Sequence, residues 1–279
     1  MERTVESAFE HSLEALCDLI NESFVGYVGG EVHFIPRMLS GFLVQNGISL
    51  ARSLVARVDG GPAGIALLAR RGSSVRVGLM GVAQAAQNLG IGRWLIGEIE
   101  REARENGDHR LELEVIEQNP RAVHLYEATG FRHMRRLIGY SGEGLGGTPE
   151  PLQPVEIADA ARRITAWMPP DTPWQCSGEN LVTFGPPFAA YRMGYRAADA
   201  WAIVSNPAGE AITINGLAVP PEQQRQGVAT RLVGALIAAH PGKSWRVPPI
   251  CPEEYGPIFT RNGMTRVPIN QFQMEKSFT

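Results

Sequence analysis

Cysteine, lysine and long apolar runs are all scarce in this 279-residue chain, and each scarcity excludes something. The three cysteines, Cys17, Cys176 and Cys251, are far apart and odd in number, with no CxxC pair and no histidine at ligand spacing. Neither a disulfide framework nor a structural zinc site is expected. His109, His124 and His133 likewise have no partners at metal spacing, so no metal is expected. Only Lys243 and Lys276 are lysines; the 26 cations, almost all arginine, face 29 acids and leave a formal net charge of -3. No basic field exists to attract a phosphate polymer, which argues against nucleic acid as a partner. No apolar stretch approaches the ~18 residues of a membrane span. The N-terminal MERTVESAFEHS carries acids early and no apolar signal core. These features predict a cytoplasmic protein with no membrane partner.

What is present is globular composition: hydrophobic residues make up 44%, charged residues 20%, with 31 Gly and 20 Pro. The length exceeds one ordinary domain and suits two. Four Gly and three Pro between Ser141 and Pro154 oppose both helix and strand and predict a linker, dividing the chain into 1–146 and 147–279. In the first half the apolar spacing predicts helices over Leu13 to Phe24 and Ile35 to Val44. Strands follow over Leu50 to Val58, Gly64 to Ala69 and Val75 to Val82, with an Asp59-Gly60-Gly61 turn. An amphipathic helix from Gly90 to Glu105, an alternating Leu111-Glu-Leu-Glu-Val115 strand, a short helix opened by Asn119-Pro120 and a strand pair over Phe131 to Tyr140 complete it. In the second half, strands are expected at Val155 to Ile157, Leu181 to Phe184, Ala189 to Met193, Ala200 to Val204 and Ala211 to Val219. Helices are expected at Ala158 to Trp167, Gly227 to Ala239 and Tyr255 to Thr260.

The two halves carry the same order of signals about 137 residues apart, as from Gln87 to Gln224, which predicts duplication of one unit. Each has a strand, a polar loop and Q-x-x-G-x-(G/A) opening a helix: Gln87/Gly90/Gly92 and Gln224/Gly227/Ala229. Small residues let a ligand approach the backbone, unpaired N–H groups converge on it, and the helix dipole adds about half a positive charge. A pyrophosphate suits that geometry, although glycines at such a junction also serve tight packing. Neither segment is a nucleotide-triphosphate loop or a dinucleotide fingerprint.

With Leu111-Glu-Leu-Glu-Val115, Asn119, Ala122, Leu125-Tyr126 and Gly130-Phe131, the pattern resembles the GNAT superfamily of acyl-CoA-dependent N-acyltransferases, twice over. The resemblance is most specific over 78–131 and 212–264 and stronger in the first half. It implies an α+β fold of two GNAT-like domains, each a mixed, mostly antiparallel twisted sheet flanked by helices. It also implies acetyl-CoA as acyl-donor substrate, held at its pyrophosphate by the backbone of Asn88, Leu89, Gly90, Ile91, Gly92 and Arg93. The pantetheine would lie beside the strand ending near Val82.

Transfer to an amine needs a base, an oxyanion donor and an acid for the thiolate. The resemblance makes Tyr126 the acid; its plain alternative is an aromatic packing the last helix. Glu114 stands where some members carry a base, and otherwise is a solvated strand carboxylate beside Glu112. Glu22, Glu31 and His33 are further candidates or ordinary surface residues. Asn119 bonds the cofactor arm or merely caps its helix. In the second half Phe259 replaces Tyr126, Pro252 replaces Asn119, and Pro248-Pro249 interrupts a strand, so the first half is expected to work and the second to be partly degenerate. The expected activity is acetyl-CoA-dependent transfer to a primary amine; the rival is a non-catalytic acyl-CoA-binding or interaction module.

Overall fold

The structure is a computed structural model and describes residues 2–195 and 198–278. In chain order its elements are β1 (Arg3–Ser7), α1 (Leu13–Ser23), α2 (Pro36–Asn46), β2 (Leu54–Val58), β3 (Gly61–Arg71), β4 (Ser74–Val82), α3 (Ile91–Glu105), β5 (Arg110–Ile116), α4 (Pro120–Ala128) and β6 (Arg132–Gly142). Then come β7 (Leu152–Val155), α5 (Ile157–Trp167), α6 (Gly178–Leu181), β8 (Ala189–Tyr195), β9 (Ala198–Val204), β10 (Ala211–Ala218), α7 (Val228–Ala239), β11 (Ser244–Pro252), α8 (Gly256–Thr260) and β12 (Thr265–Ser277).

The chain forms two compact units, Met1–Arg135 with Phe272–Thr279, and Arg136–Gln271. The change of unit therefore falls inside β6 rather than at the Gly/Pro-rich stretch, and the C-terminal residues return to the first unit. Burial drives that return: Met274 and Phe278 enter the core that holds Leu95 and Leu111, and Lys276 pairs with Glu100.

In the first unit the strands run β1-β2-β3-β4-β5, with the end of β12 next to β5. All the β1 to β4 pairings are antiparallel; β4 and β5 are parallel and joined through α3. β3 is buried on both faces, Ile65 and Leu67 against α1 and α2, Ala66 and Leu68 against α3. A doubly covered strand needs no polar face, so its sequence is a continuous apolar run. β5 alternates instead, sending Leu111, Leu113 and Val115 to the stripe Ile91, Leu95, Ile99 and Ala103 of α3. Asp59 and Gly60, with φ of 47° and 83°, turn β2 into β3 as the two-residue hairpin expects.

The second unit orders its strands β6-β11-β10-β9-β8-β7, again with one parallel pair, β10 and β11, joined through a helix, α7. Leu181 to Phe184, expected as a strand, is the end of α6 and a turn. Gly178 lies so close under α5 that a Cβ would overlap Ala161 and Thr165, and Leu181 fills the core beside Ile164. Short apolar runs cannot be told apart by periodicity alone. The expected strand pair over Phe131 to Tyr140 is the single strand β6. β11 runs through Pro248-Pro249 by shifting register between Val247 and Cys251. β12, with the polar sequence TRVPINQFQMEKS, was not anticipated.

The linker glycines are not all there for freedom. A Cβ on Gly147 would overlap the α7 backbone at Gly234 and Ala238, whereas Gly146 has open space around it. Gly147→Val is expected to destabilise the protein by about 1–3 kcal/mol in urea unfolding, as overpacking does, while Gly146→Ala leaves the midpoint nearly unchanged.

Candidate active site

The cradle takes the same form in both units. Gln87 donates from Nε2 to the Val82 carbonyl at 3.4 Å, and Gln224 donates to the Val219 carbonyl at 3.1 Å, so each glutamine ties the loop back onto the end of its strand. The next residues, Asn88 and Arg225, are left-handed (φ 62° and 61°), as are Gly90 and Gly227 (φ 74° and 78°). Two left-handed steps turn the backbone amides outward ahead of α3 and α7. Neither helix has a side-chain cap at its N-terminus, so the first-turn N–H groups keep no intrahelical partner.

Around the first cradle the surroundings favour an anion. Nothing lies within 4 Å of a Cβ built on Gly90. Arg121 donates to Asn88 Oδ1 at 2.8 Å and Arg93 to the Ala128 carbonyl at 3.1 Å, which sets two guanidinium groups beside the helix start. A Cβ on Gly92 would come within 3.0 Å of Leu125, so a small residue lets α3 approach α4. Ala122, Leu125 and Tyr126 of α4 all pack on the core of this unit.

Beside the cradle the sheet opens. β4 and β5 pair only from Ser74 to Val77 against Arg110 to Leu113, and both strands continue beyond that point. Gly78 is the extra residue between Leu67/Leu79 and Leu68/Val77, a bulge that bends β4 where pairing stops. The α1–α2 loop crosses the parted ends: Ser23 and Phe24 press on Gly81 of β4, and Gly29 lies against Ile116 of β5.

Tyr126 projects from α4 and is 8% exposed, edge-on to Phe131 at 5.6 Å. Burial raises the pKa of its phenol well above the ordinary tyrosine value, and the nearby Tyr27 adds to the rise. Its hydroxyl has no hydrogen-bond partner among the described residues. Tyr27 comes from the loop over the parted strands, stacks edge-on with Phe24 at 4.9 Å, and has its own pKa raised by burial. Sequence reasoning missed Tyr27; the Phe24-x-x-Tyr27 pair between two glycine-flanked turns was the available signal.

Glu114 does lie on the β5 face opposite Leu111, Leu113 and Val115, but it is not solvated as a strand-face carboxylate would be. Arg76 of β4 grips it from Nε at 2.9 Å and Nη2 at 2.7 Å, both side chains being at most 5% exposed, and Asn46 of α2 accepts from Arg76 at 3.4 Å. α2 covers this face, which the strand's own alternation does not reveal. Glu112 is half-buried beside Arg110, and burial raises its pKa. Asn119 caps α4, accepting from the Ala122 amide at 3.2 Å. Glu22, Glu31 and His33 are exposed.

The second unit repeats the parallel pair, the bulge and the cradle but not the polar groups. β10 and β11 pair only from Ala211 to Thr213, and Asn215 is the extra residue that Gly78 is in the first unit. In the matching register Thr213 stands for Arg76 and Pro248 for Glu114, and both line a cavity of about 690 Å³ where the first unit has its ion pair. Phe259 is buried and stacks on Tyr140 at 5.3 Å, and Pro252 opens only a short 3-10 turn. Ala229 follows Gly227 into the first turn of α7. Among the described residues no cluster of His, Cys, Asp or Glu could hold a metal, and no helix is long and apolar enough to cross a membrane.

Compared with known proteins, residues 7–131 match the model of the acetyltransferase (GNAT) family. A GCN5-related N-acetyltransferase from Sphaerobacter thermophilus aligns over 99% of this chain and 95% of its own, with 13% identity and a TM-score of 0.68. A tandem GNAT protein from the clavulanic acid biosynthesis pathway aligns over 99% and 98%, with 15% identity and a TM-score of 0.64. A GCN5-related N-acetyltransferase from Anabaena variabilis ATCC 29413 aligns over 99% and 73%, with 14% identity and a TM-score of 0.63. No curated protein matches the chain by sequence. The family match thus lies in the first unit, and the solved structures share the fold of nearly the whole chain.

Removing one partner of a buried ion pair leaves the other charge uncompensated, at a cost of about 3–5 kcal/mol. Arg76→Met and Glu114→Gln are each expected to lower stability by that order in denaturant titration, and the double variant by clearly less than their sum.

Proposed function

We propose that the protein transfers the acetyl group of acetyl-CoA to a primary amine, by direct attack, at the first unit. The observation that carries this reading is the alignment of three features in that unit: uncapped amides at the start of α3, parted ends of β4 and β5, and the partnerless Tyr126 hydroxyl on α4. The amides of Asn88 to Arg93 would bind the pyrophosphate, with Arg93 and Arg121 adding charge. The unpaired edge of β4 leading to Val82 would hold the pantetheine and the acyl carbonyl by main-chain hydrogen bonds.

In this reading the amine nitrogen attacks the thioester carbon, and the carbonyl oxygen takes the charge. As the C–S bond breaks, the thiolate receives a proton from the Tyr126 hydroxyl, the nitrogen releases its extra proton to water, and water returns a proton to the phenolate. A phenol whose pKa burial has raised keeps that proton at neutral pH, which an acid must do. Glu114, committed to Arg76, holds β4 and β5 at their parting point rather than removing the ammonium proton. The second unit retains its cradle but has Phe259 in place of an acid, so no transfer is assigned to it. The acceptor amine is of a class the loop from Phe24 to Ile35 would select.

Tyr126→Phe is expected to lower kcat by one to three orders of magnitude, roughly 1.4–4 kcal/mol in barrier, with CoA affinity nearly unchanged. Thioester consumption against an amine panel measures the first, calorimetry the second. Equal turnover removes Tyr126 from the mechanism, and thermal stabilisation by CoA without turnover on any amine favours a non-catalytic binding module instead. Because the folded-state pKa of Tyr126 is raised, its acid form persists as pH rises past the free tyrosine value. No alkaline fall in kcat attributable to it should then appear below about pH 10.

A carboxylate placed in a cradle repels pyrophosphate. Gly90→Glu should abolish CoA binding and turnover, while Gly227→Glu leaves turnover within about threefold; loss only in Gly227→Glu moves the working site to the second unit.

A further inference from the structure

A cavity of about 350 Å³ opens in the first unit near the C-terminal end of α3, away from the cradle. Glu102, one of its lining residues, lies roughly 17 Å along the helix from Ile91 at 1.5 Å per residue. The volume suits a small molecule. Leu68 and Ile99 supply an apolar wall; Arg52, Arg70, Glu102 and Asp108 supply the polar one.

The polar wall is incomplete. The Asp108 side chain is 1% exposed, and its Oδ1 accepts from Arg70 Nε at 2.6 Å. Its Oδ2 is buried with no hydrogen-bond partner among the described residues. A buried carboxylate oxygen without a donor is costly, and native structures rarely leave one so. Glu102 has Arg101 at 3.8 Å and the charge of Arg52 acting on it as well, yet burial raises its pKa on balance. Arg52 is exposed and makes no ion pair among the described residues. Two cations and two carboxylates balance, so a lone anion meets repulsion from the acids and a lone cation meets it from the arginines. A molecule carrying both charges meets neither.

We propose that this cavity binds a short aliphatic α-amino acid as its zwitterion. The ammonium supplies the donor that Asp108 Oδ2 lacks, with Glu102 beside it; the carboxylate accepts from Arg52; and the side chain lies on Leu68 and Ile99. The site stands apart from the acyl-transfer residues and does not depend on their assignment.

The test is calorimetric titration of the full chain with L-valine, beside N-acetyl-L-valine, which has no ammonium, and isobutylamine, which has no carboxylate. L-Valine should bind with a Kd of about 1 mM or tighter. Both analogues, and L-valine on Arg52→Gln or Asp108→Asn, should be weaker by about tenfold or more, the scale of a lost charge-assisted hydrogen bond. Asp108→Asn also disturbs the Arg70 pair and risks the fold, so Arg52→Gln, an exposed position, carries the test if the other variant fails to fold. No heat from L-valine, an analogue binding as tightly as L-valine, or an unchanged affinity in Arg52→Gln overturns the proposal. The last result also separates this cavity from an amine acceptor site, which Arg52→Gln does not touch.

Discussion

An α-helix cannot satisfy the N–H groups of its own first turn, and the first unit is arranged to leave those of α3 unsatisfied. The position that ordinarily carries a capping hydroxyl or carboxylate is Gly90, in the left-handed region with open space around it. Asn88, whose side chain is of a capping type, is itself left-handed and has its Oδ1 turned to Arg121. Gln87, one residue earlier, folds back to the Val82 carbonyl and anchors the loop. The outcome is a set of aligned amides at the positive end of a fifteen-residue helix, to which the rest of the site is fitted.

A ligand held there needs somewhere to extend, and parting two strands sacrifices backbone hydrogen bonds. The structure contains that loss. The bulge at Gly78 bends β4 where pairing with β5 ends, the Arg76–Glu114 ion pair ties the two strands at that level, and the α1–α2 loop closes over the open ends. The second unit keeps the cradle and the bulge, yet has Thr213 and Pro248 in place of the ion pair and Phe259 in place of the phenol. The two copies thus share their backbone geometry and differ in their titratable side chains.

Much of this was legible beforehand. Amphipathic period identified α1, α2, α3 and α7 within a residue or two of their ends, and alternation identified β5, because a face buried against one layer leaves its imprint on its own strand. The repeat of Gln, Gly and a small residue carried the cradle, since left-handed turns restrict residue type locally. The fate of Leu181 to Phe184 was not legible, nor was the long β12. The first is a short apolar run whose conformation α5 decides, and the second is a polar segment that becomes a strand only because neighbouring strands offer it hydrogen bonds.

The site divides along the same line. Local sequence by itself determined the cradle, the helix it opens and the α4 position of Tyr126, because these depend on dihedral preferences and spacing within a few residues. Only the tertiary structure decided that Glu114 is clamped by Arg76 under α2, that Tyr27 comes near Tyr126, and that the C-terminal residues complete the first unit's core. Burial and charge pairing join groups tens of residues apart, and no local pattern records which distant side chain will arrive.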